Sequence, residues 1–127
     1  MNKVELQSNL GQFTGTEQWH QWSRLFPKML LTDGAKFLAD KASAYWLMDN
    51  IASHQPKCLT NKSLQEFQLW TLKVHEDKSC TLTCEIDTNN VFLTQEIEFT
   101  DFPLDTIKLY VGPMGNGQYI ILLTSEY

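Results

Sequence analysis

The stretch Cys80-Thr81-Leu82-Thr83-Cys84-Glu85-Ile86-Asp87-Thr88-Asn89-Asn90-Val91-Phe92-Leu93-Thr94-Gln95-Glu96-Ile97-Glu98-Phe99 decides the fold class. Cys80, Leu82, Cys84 and Ile86 recur at every second position, and so do Val91, Leu93, Ile97 and Phe99, with Gln95 interrupting. A period of two places alternate side chains on opposite faces of a half-buried strand. Asp87-Thr88-Asn89-Asn90 between the two runs suits a hairpin turn. The alternation continues outward, through Trp70, Leu72 and Val74 before the stretch and Ile107, Leu109 and Val111 after it. The last strand is Tyr119 to Leu123, a continuous apolar run. Glu76-Asp77-Lys78 and Gly112-Pro113-Met114-Gly115-Asn116-Gly117 read as further hairpin connectors. In Asp101-Phe102-Pro103-Leu104-Asp105, two apolar residues are expected to tuck under the sheet. Residues 66–127 therefore read as an antiparallel meander of four to five strands.

The first part of the chain, residues 1–54, reads as helical. Residues 3–10 form a short helical candidate ended by Gly11, and a second short helix is expected from about Thr16 to Leu25. The longest predicted helix runs from Asp33, which can cap it, to about Ser53, with Pro56 preventing continuation. At 100° per residue, Phe37, Leu38, Ala42, Tyr45, Trp46, Met48 and Ala52 make a wide apolar face that can cover a sheet. Leu47 alone breaks the opposite polar stripe, a hint of a contact surface. Residues 55–65 read as a loop. The expectation is a single α+β domain over residues 1–127, with a long helix packed across one face of the sheet and a short N-terminal helical segment.

Apolar residues make up 43% of the 127 residues, enough for one buried core. The formal net charge is −5 and unevenly placed. Residues 1–74 hold eight Lys and Arg against six Asp and Glu; residues 75–127 hold two Lys against nine Asp and Glu. This balance argues against direct duplex DNA binding, which requires a basic face. Opposite the apolar face, Thr81, Thr83, Glu85 and Asp87 would stand beside Phe92, Thr94, Glu96 and Glu98, with Asp101 and Asp105 extending the surface. Such a threonine-and-carboxylate face is either solvated or a docking surface for a protein partner with a basic surface.

No P-loop, no dinucleotide-binding glycine pattern opening a helix and no H-E-x-x-H occurs. Cys80 and Cys84 lie about 13 Å apart along an extended strand, too far to share a disulfide or a zinc ion. No metal site and no cofactor is expected, and the odd cysteine count favours reduced thiols. With no apolar run near the ~20 residues that span a bilayer, the expected location is the cytoplasm, with no membrane contact. His20, His54 and His75 are scattered, with nothing local to orient them as bases, so no catalytic residue is assigned. The aromatic segment Trp19-His20-Gln21-Trp22, followed by Arg24 and Phe26, either packs onto the core or offers Trp19 and Trp22 as interface anchors.

Several blocks carry a resemblance over nearly the whole chain. They are Phe13-Thr14-Gly15-Thr16-Glu17-Gln18, Thr32-Asp33-Gly34-Ala35, Ala44-Tyr45-Trp46-Leu47 and Ile51-Ala52-Ser53-His54-Gln55. Leu82-Thr83-Cys84, Thr100-Asp101-Phe102-Pro103-Leu104 and Leu122-Leu123-Thr124-Ser125-Glu126-Tyr127 complete the set. In these the chain resembles an uncharacterised, domain-of-unknown-function family of small proteins from bacteria, phages and mobile genetic elements. The resemblance brings no catalytic residues; it implies a mobile-element setting, where small acidic proteins often inhibit host defence. Together with the charge, it leads to the expectation of a small non-enzymatic protein-binding inhibitor, anti-CRISPR-like. Glu85, Asp87, Glu96, Glu98, Asp101 and Asp105 would engage a basic surface of a nucleic-acid-binding CRISPR effector or other defence complex, with Trp19 or Trp22 as anchors. The competing expectation is a small-molecule-binding protein or enzyme. Its pocket would lie between the long helix and the N-terminal aromatic segment, with His20, His54 or Tyr45 as its polar groups.

Overall fold

A computed structural model describes residues 2–127. Helix α1 spans Lys3–Leu10, where Asn2 accepts the Glu5 N–H at 2.8 Å and Leu6 and Leu10, four apart, turn inward. Gly11 ends it, as expected. The segment after it does not form the predicted helix from Thr16 to Leu25. Thr16 Oγ instead accepts the Asp33 N–H at 2.9 Å and donates to Gln18 O at 2.6 Å, so it is not available to cap a helix of its own. The chain makes a two-residue strand β1 (Trp19–His20), antiparallel to β2 (Met29–Thr32).

The long predicted helix is two helices, α2 (Asp33–Lys41) and α3 (Tyr45–Ser53). Thr32, rather than Asp33, is the N-cap of α2, accepting the Ala35 N–H. Between the helices Ser43 takes φ +51°, and the Ala44 N–H reaches back to Ala39 O at 2.9 Å. That is the long-range bond of a left-handed helix stop, here without glycine. The stop resets the helical phase, so Leu47, expected on the polar stripe, is 0% exposed. Residues 55–65 are not simply a loop. Pro56 does end α3, but it also sits in the first turn of α4 (Gln55–Cys58), where its missing N–H is harmless, and Asn61 caps α5 (Lys62–Glu66).

Five further strands follow: β3 (Gln68–Val74), β4 (Cys80–Asp87), β5 (Asn90–Ile97), β6 (Thr106–Pro113) and β7 (Tyr119–Leu123). The sheet has seven strands in the order β1-β2-β7-β6-β3-β4-β5, and β2 runs parallel to β7. The four- to five-stranded meander is thus corrected. Strands β3, β4 and β5 are a meander, but β6 pairs with β3 and not with β5. Alternation encodes which face a residue takes; it says little about which strand lies alongside. The return crossing from β5 to β6 buries Phe102 and Leu104, as the pattern suggested.

Paired residues share a face, so the rows across the sheet can be read directly. Leu123, Leu109, Trp70, Cys84 and Leu93 form one inner row, and Leu31, Ile121, Val111 and Gln68 another. Buried Ala35, Leu38 and Ala39 of α2 and Leu47, Met48, Ile51 and Ala52 of α3 join these rows in one core. A bulge between β4 and β5 sets Glu85 opposite Val91 while Cys84 faces Leu93. Phe92 is the extra residue; it packs partly against the core, whereas Val91, expected inside, is half-exposed.

The strained Ser43 yields a direct test. A non-glycine residue in the left-handed region costs roughly 1–2 kcal/mol, partly offset by the flexibility glycine adds to the unfolded chain. Ser43→Gly should therefore raise stability by about 0.5–1 kcal/mol, read as a higher urea midpoint at unchanged m.

Candidate functional site

All the helices that share the core cover the inner face, leaving the outer face to be read strand by strand. One outer row crosses five strands: Leu122, Tyr110, Leu69, Glu85 and Val91. Leu30 and Ile120 continue the apolar part onto β2 and β7. Leu30, Leu69, Tyr110, Ile120 and Leu122 are all partly exposed. Beside them Phe67, Tyr110 and Tyr127 form a cluster with ring centroids 4.7–5.4 Å apart, and Tyr127 is 82% exposed. The remaining outer rows are polar, Lys108-Thr71-Thr83-Thr94 and Thr106-Lys73-Thr81-Glu96. Thr71 is buried beneath its neighbours, and among the described residues its hydroxyl has no hydrogen-bond partner.

The acidic residues expected on this face are distributed more widely than alternation implied. Glu85 and Glu96 stand on it, and Glu96 accepts from Thr81, which His75 contacts through Nε2 at 2.8 Å. Asp87 closes the β4–β5 hairpin. Asp101 and Asp105 line a pocket with His75 and Lys78 at the other end of the strands, about 23 Å away along β4. Asp105 is paired with Lys3 at 2.6 Å, which lowers its pKa. Glu98 is exposed just beyond β5. The tryptophans are elsewhere. Trp19, 62% exposed, lies on β1, six strand spacings or about 29 Å from β5. Trp22 donates from Nε1 to Asp49 at 2.8 Å, fastening the β1–β2 connection to α3. The aromatic and apolar row was missed from sequence, although one signal was available. An uninterrupted run such as Tyr119–Leu123, in a sheet covered on one side only, must place apolar side chains on the open face.

His20, His54 and Tyr45 are not brought together. Tyr45 donates to Asp40. His54 stacks on Trp70, with centroids 5.9 Å apart, and its Nε2 meets Gln95 Oε1 at 2.7 Å. Gln95 interrupts the apolar alternation because it faces this histidine. His20 Nε2 lies 2.8 Å from Asp33 Oδ1 at the start of α2. Asp33 Oδ2 also accepts the Glu17 N–H, and these bonds, with His20 first, hold its pKa below the ordinary aspartate value.

A second carboxylate reaches the same helix end from the last turn of the chain. Glu126 accepts from Thr32 Oγ and from the Gly34 and Leu123 N–H groups. Three of the blocks that carry the resemblance therefore meet here, Phe13–Gln18, Thr32–Ala35 and Leu122–Tyr127. The favourable alignment of carboxylates with a helix N-terminus, and the use of their oxygens on backbone N–H groups, make this a structural clasp. A shallow groove of about 400 Å³ beside it is lined by Gln12–Glu17 and Asp33.

Another groove of about 400 Å³ opens between the segment Leu25–Met29 and the end of α3 with α4, and none of His20, His54 and Tyr45 lines it. Its lining is mainly apolar, and Gln55 contributes to it. Cys58, Cys80 and Cys84 are buried free thiols. Among the described residues no group of three or more His, Cys, Asp or Glu could hold a metal ion, and no helix is long and apolar enough to cross a membrane.

The clasp generates two expectations. Because the folded-state pKa of Asp33 is depressed, its contribution is present above the unfolded value and is lost as pH falls through the folded one. Asp33→Asn should thus lower the urea midpoint at neutral pH, with the difference from wild type closing as the pH falls below the aspartate range. At Gly34, an added Cβ would sit 2.6 Å from both Leu123 Cδ1 and Glu126 Oε1. Gly34→Ala should destabilise by about 1–3 kcal/mol, and combining it with Glu126→Ala should cost less than the two single changes together, as thermal unfolding would show.

No curated protein and no solved structure matches the chain. A family model does, over residues 4–127, and the chain belongs to that family, DUF6876, a family of unknown function.

Proposed function

We propose that the chain is a small non-enzymatic protein-binding module that engages its partner through the open face of the sheet. The observation that carries this reading is the partly exposed row Leu122-Tyr110-Leu69 with the Phe67–Tyr127 cluster beside it, on a face that no helix among the described residues covers. Contiguous exposed apolar surface rimmed by polar groups is the usual mark of an interaction site. Strands β4 and β5 with the residue after them carry Glu85, Asp87, Glu96 and Glu98 and no Lys or Arg. This side of the face is thereby suited to a basic surface, while Lys73 and Lys108 stand nearer its middle. Leu69, Tyr110 and Leu122 serve as the apolar anchors in place of Trp19 and Trp22, which lie elsewhere. Asp101 and Asp105 stand at the margin, Asp105 already paired.

The partner class that fits is a nucleic-acid-binding protein with a basic groove, a CRISPR effector or other defence complex being one instance. The inhibitory role and the mobile-element setting rest on the resemblance and the charge alone. Charge complementarity contributes association rate and selectivity more than affinity, so retention should fall steeply with salt.

The test is capture by the immobilised chain from nuclease-treated bacterial lysate. The expected result is retention of a nucleic-acid-binding protein that added DNA displaces. The double reversal Glu85→Lys with Glu96→Lys should lower retention by about tenfold or more without shifting the unfolding temperature appreciably. Retention that is indifferent both to DNA and to the double reversal would sink the proposal.

A further inference from the structure

The groove between the Leu25–Met29 segment and the α3–α4 corner has a composition that selects among ligands. Phe26, Pro27, Met29, Ala52, Pro56 and Leu59 supply most of its wall. Its volume, about 400 Å³, falls in the size class of sites that take a single small molecule. Besides Lys28, the polar side chains on the lining are Tyr119, with one hydroxyl, and Gln55, whose amide hydrogens are both engaged, one on Ile51 O and one on Gln68 Oε1. A sugar or a nucleoside, which needs several convergent donors and acceptors, would find few there.

Charge at the groove is one-sided. Lys28 is on the lining, no carboxylate is, and Lys28 has no ion pair among the described residues. Leu25 stands at the lip with 83% of its surface exposed, although apolar wall lies next to it. An apolar body with one anionic end matches this arrangement: the body removes Phe26, Pro27 and Leu59 from water, and the acid meets Lys28 at the mouth.

We infer that this groove binds a small apolar carboxylate, a medium-chain fatty acid or an equivalent acid. The groove shares no residue with the outer sheet row, so this inference and the protein-binding proposal stand or fall separately.

Decanoate and decanol, used below micelle-forming concentrations, separate the apolar contribution from the charge. By calorimetry decanoate should bind about five- to tenfold more tightly than decanol, as expected for one partly screened ion pair. Lys28→Glu should abolish that preference while leaving decanol binding in place. Leu25→Asp should weaken both ligands. Both positions are exposed, so unfolding temperatures close to wild type will show that the variants fold. Equal binding of the two ligands, absence of decanoate binding, or decanoate binding unchanged in both variants would each overturn the inference.

Discussion

Two glutamine side chains hold the helical layer to the sheet. Gln68, fully buried on β3, and Gln55, nearly so at the start of α4, exchange amide hydrogen bonds of 2.8 and 2.9 Å. The second hydrogen of each amide goes to a backbone carbonyl, Gln55 to Ile51 of α3 and Gln68 to Leu64 of α5, while Gln68 Oε1 also accepts from Trp70 Nε1 at 2.8 Å. A buried amide left without partners costs about 1–3 kcal/mol, so this set holds together only when α3, α4, α5 and β3 are all in register. Apolar packing is tolerant of small slides; a closed amide pair is not. Other features follow from it. Trp70 is oriented by the pair, His54 stacks on Trp70, Gln95 turns inward to meet His54, and the groove has a floor.

The opposite end of the helical layer is held electrostatically. Asp33 and Glu126 bring two carboxylates to the N-terminus of α2, where backbone N–H groups lack helical partners. Glu126 comes from the turn that follows β7, and β7 is the parallel neighbour of β2, the strand leading into α2. The clasp thus ties the end of the chain to the strand–helix junction that needs it, and Gly34 is what allows the close approach. With both ends of the layer held on one side of the sheet, the other side is left free. Apolar surface collects on that free side around β6 and β7, and carboxylates collect on β4 and β5.

Much of this was legible residue by residue, and less of it element by element. The alternation placed Cys80, Leu82, Cys84, Leu109 and Val111 in the core correctly, and Phe102 and Leu104 beneath the sheet. It misplaced Leu47, because no Gly or Pro announces the stop at Ser43, whose left-handed turn depends on burial of the alanines around it. It missed β1, since a two-residue strand has no period to detect, and began a helix at Thr16 when its oxygen serves the Asp33 N–H seventeen residues away in the sequence. Of the candidate site residues, Glu85 and Glu96 were assigned to the right face, whereas Trp19 and Trp22 were grouped with them by chemistry and lie far off in space.

Local periodicity and composition determine by themselves that the chain is an α+β protein with a charge-balanced first part and an acidic second part. They do so because burial of one face of a strand or helix is a property of the residues within it. Tertiary structure alone decided that β6 returns to β3, that β2 lies parallel to β7, and that Gln55 meets Gln68. These are pairings between segments distant along the chain, chosen by closed hydrogen-bond sets and complementary surfaces that neither segment carries alone. The open apolar row and the groove beside Lys28 exist only as a result of those pairings.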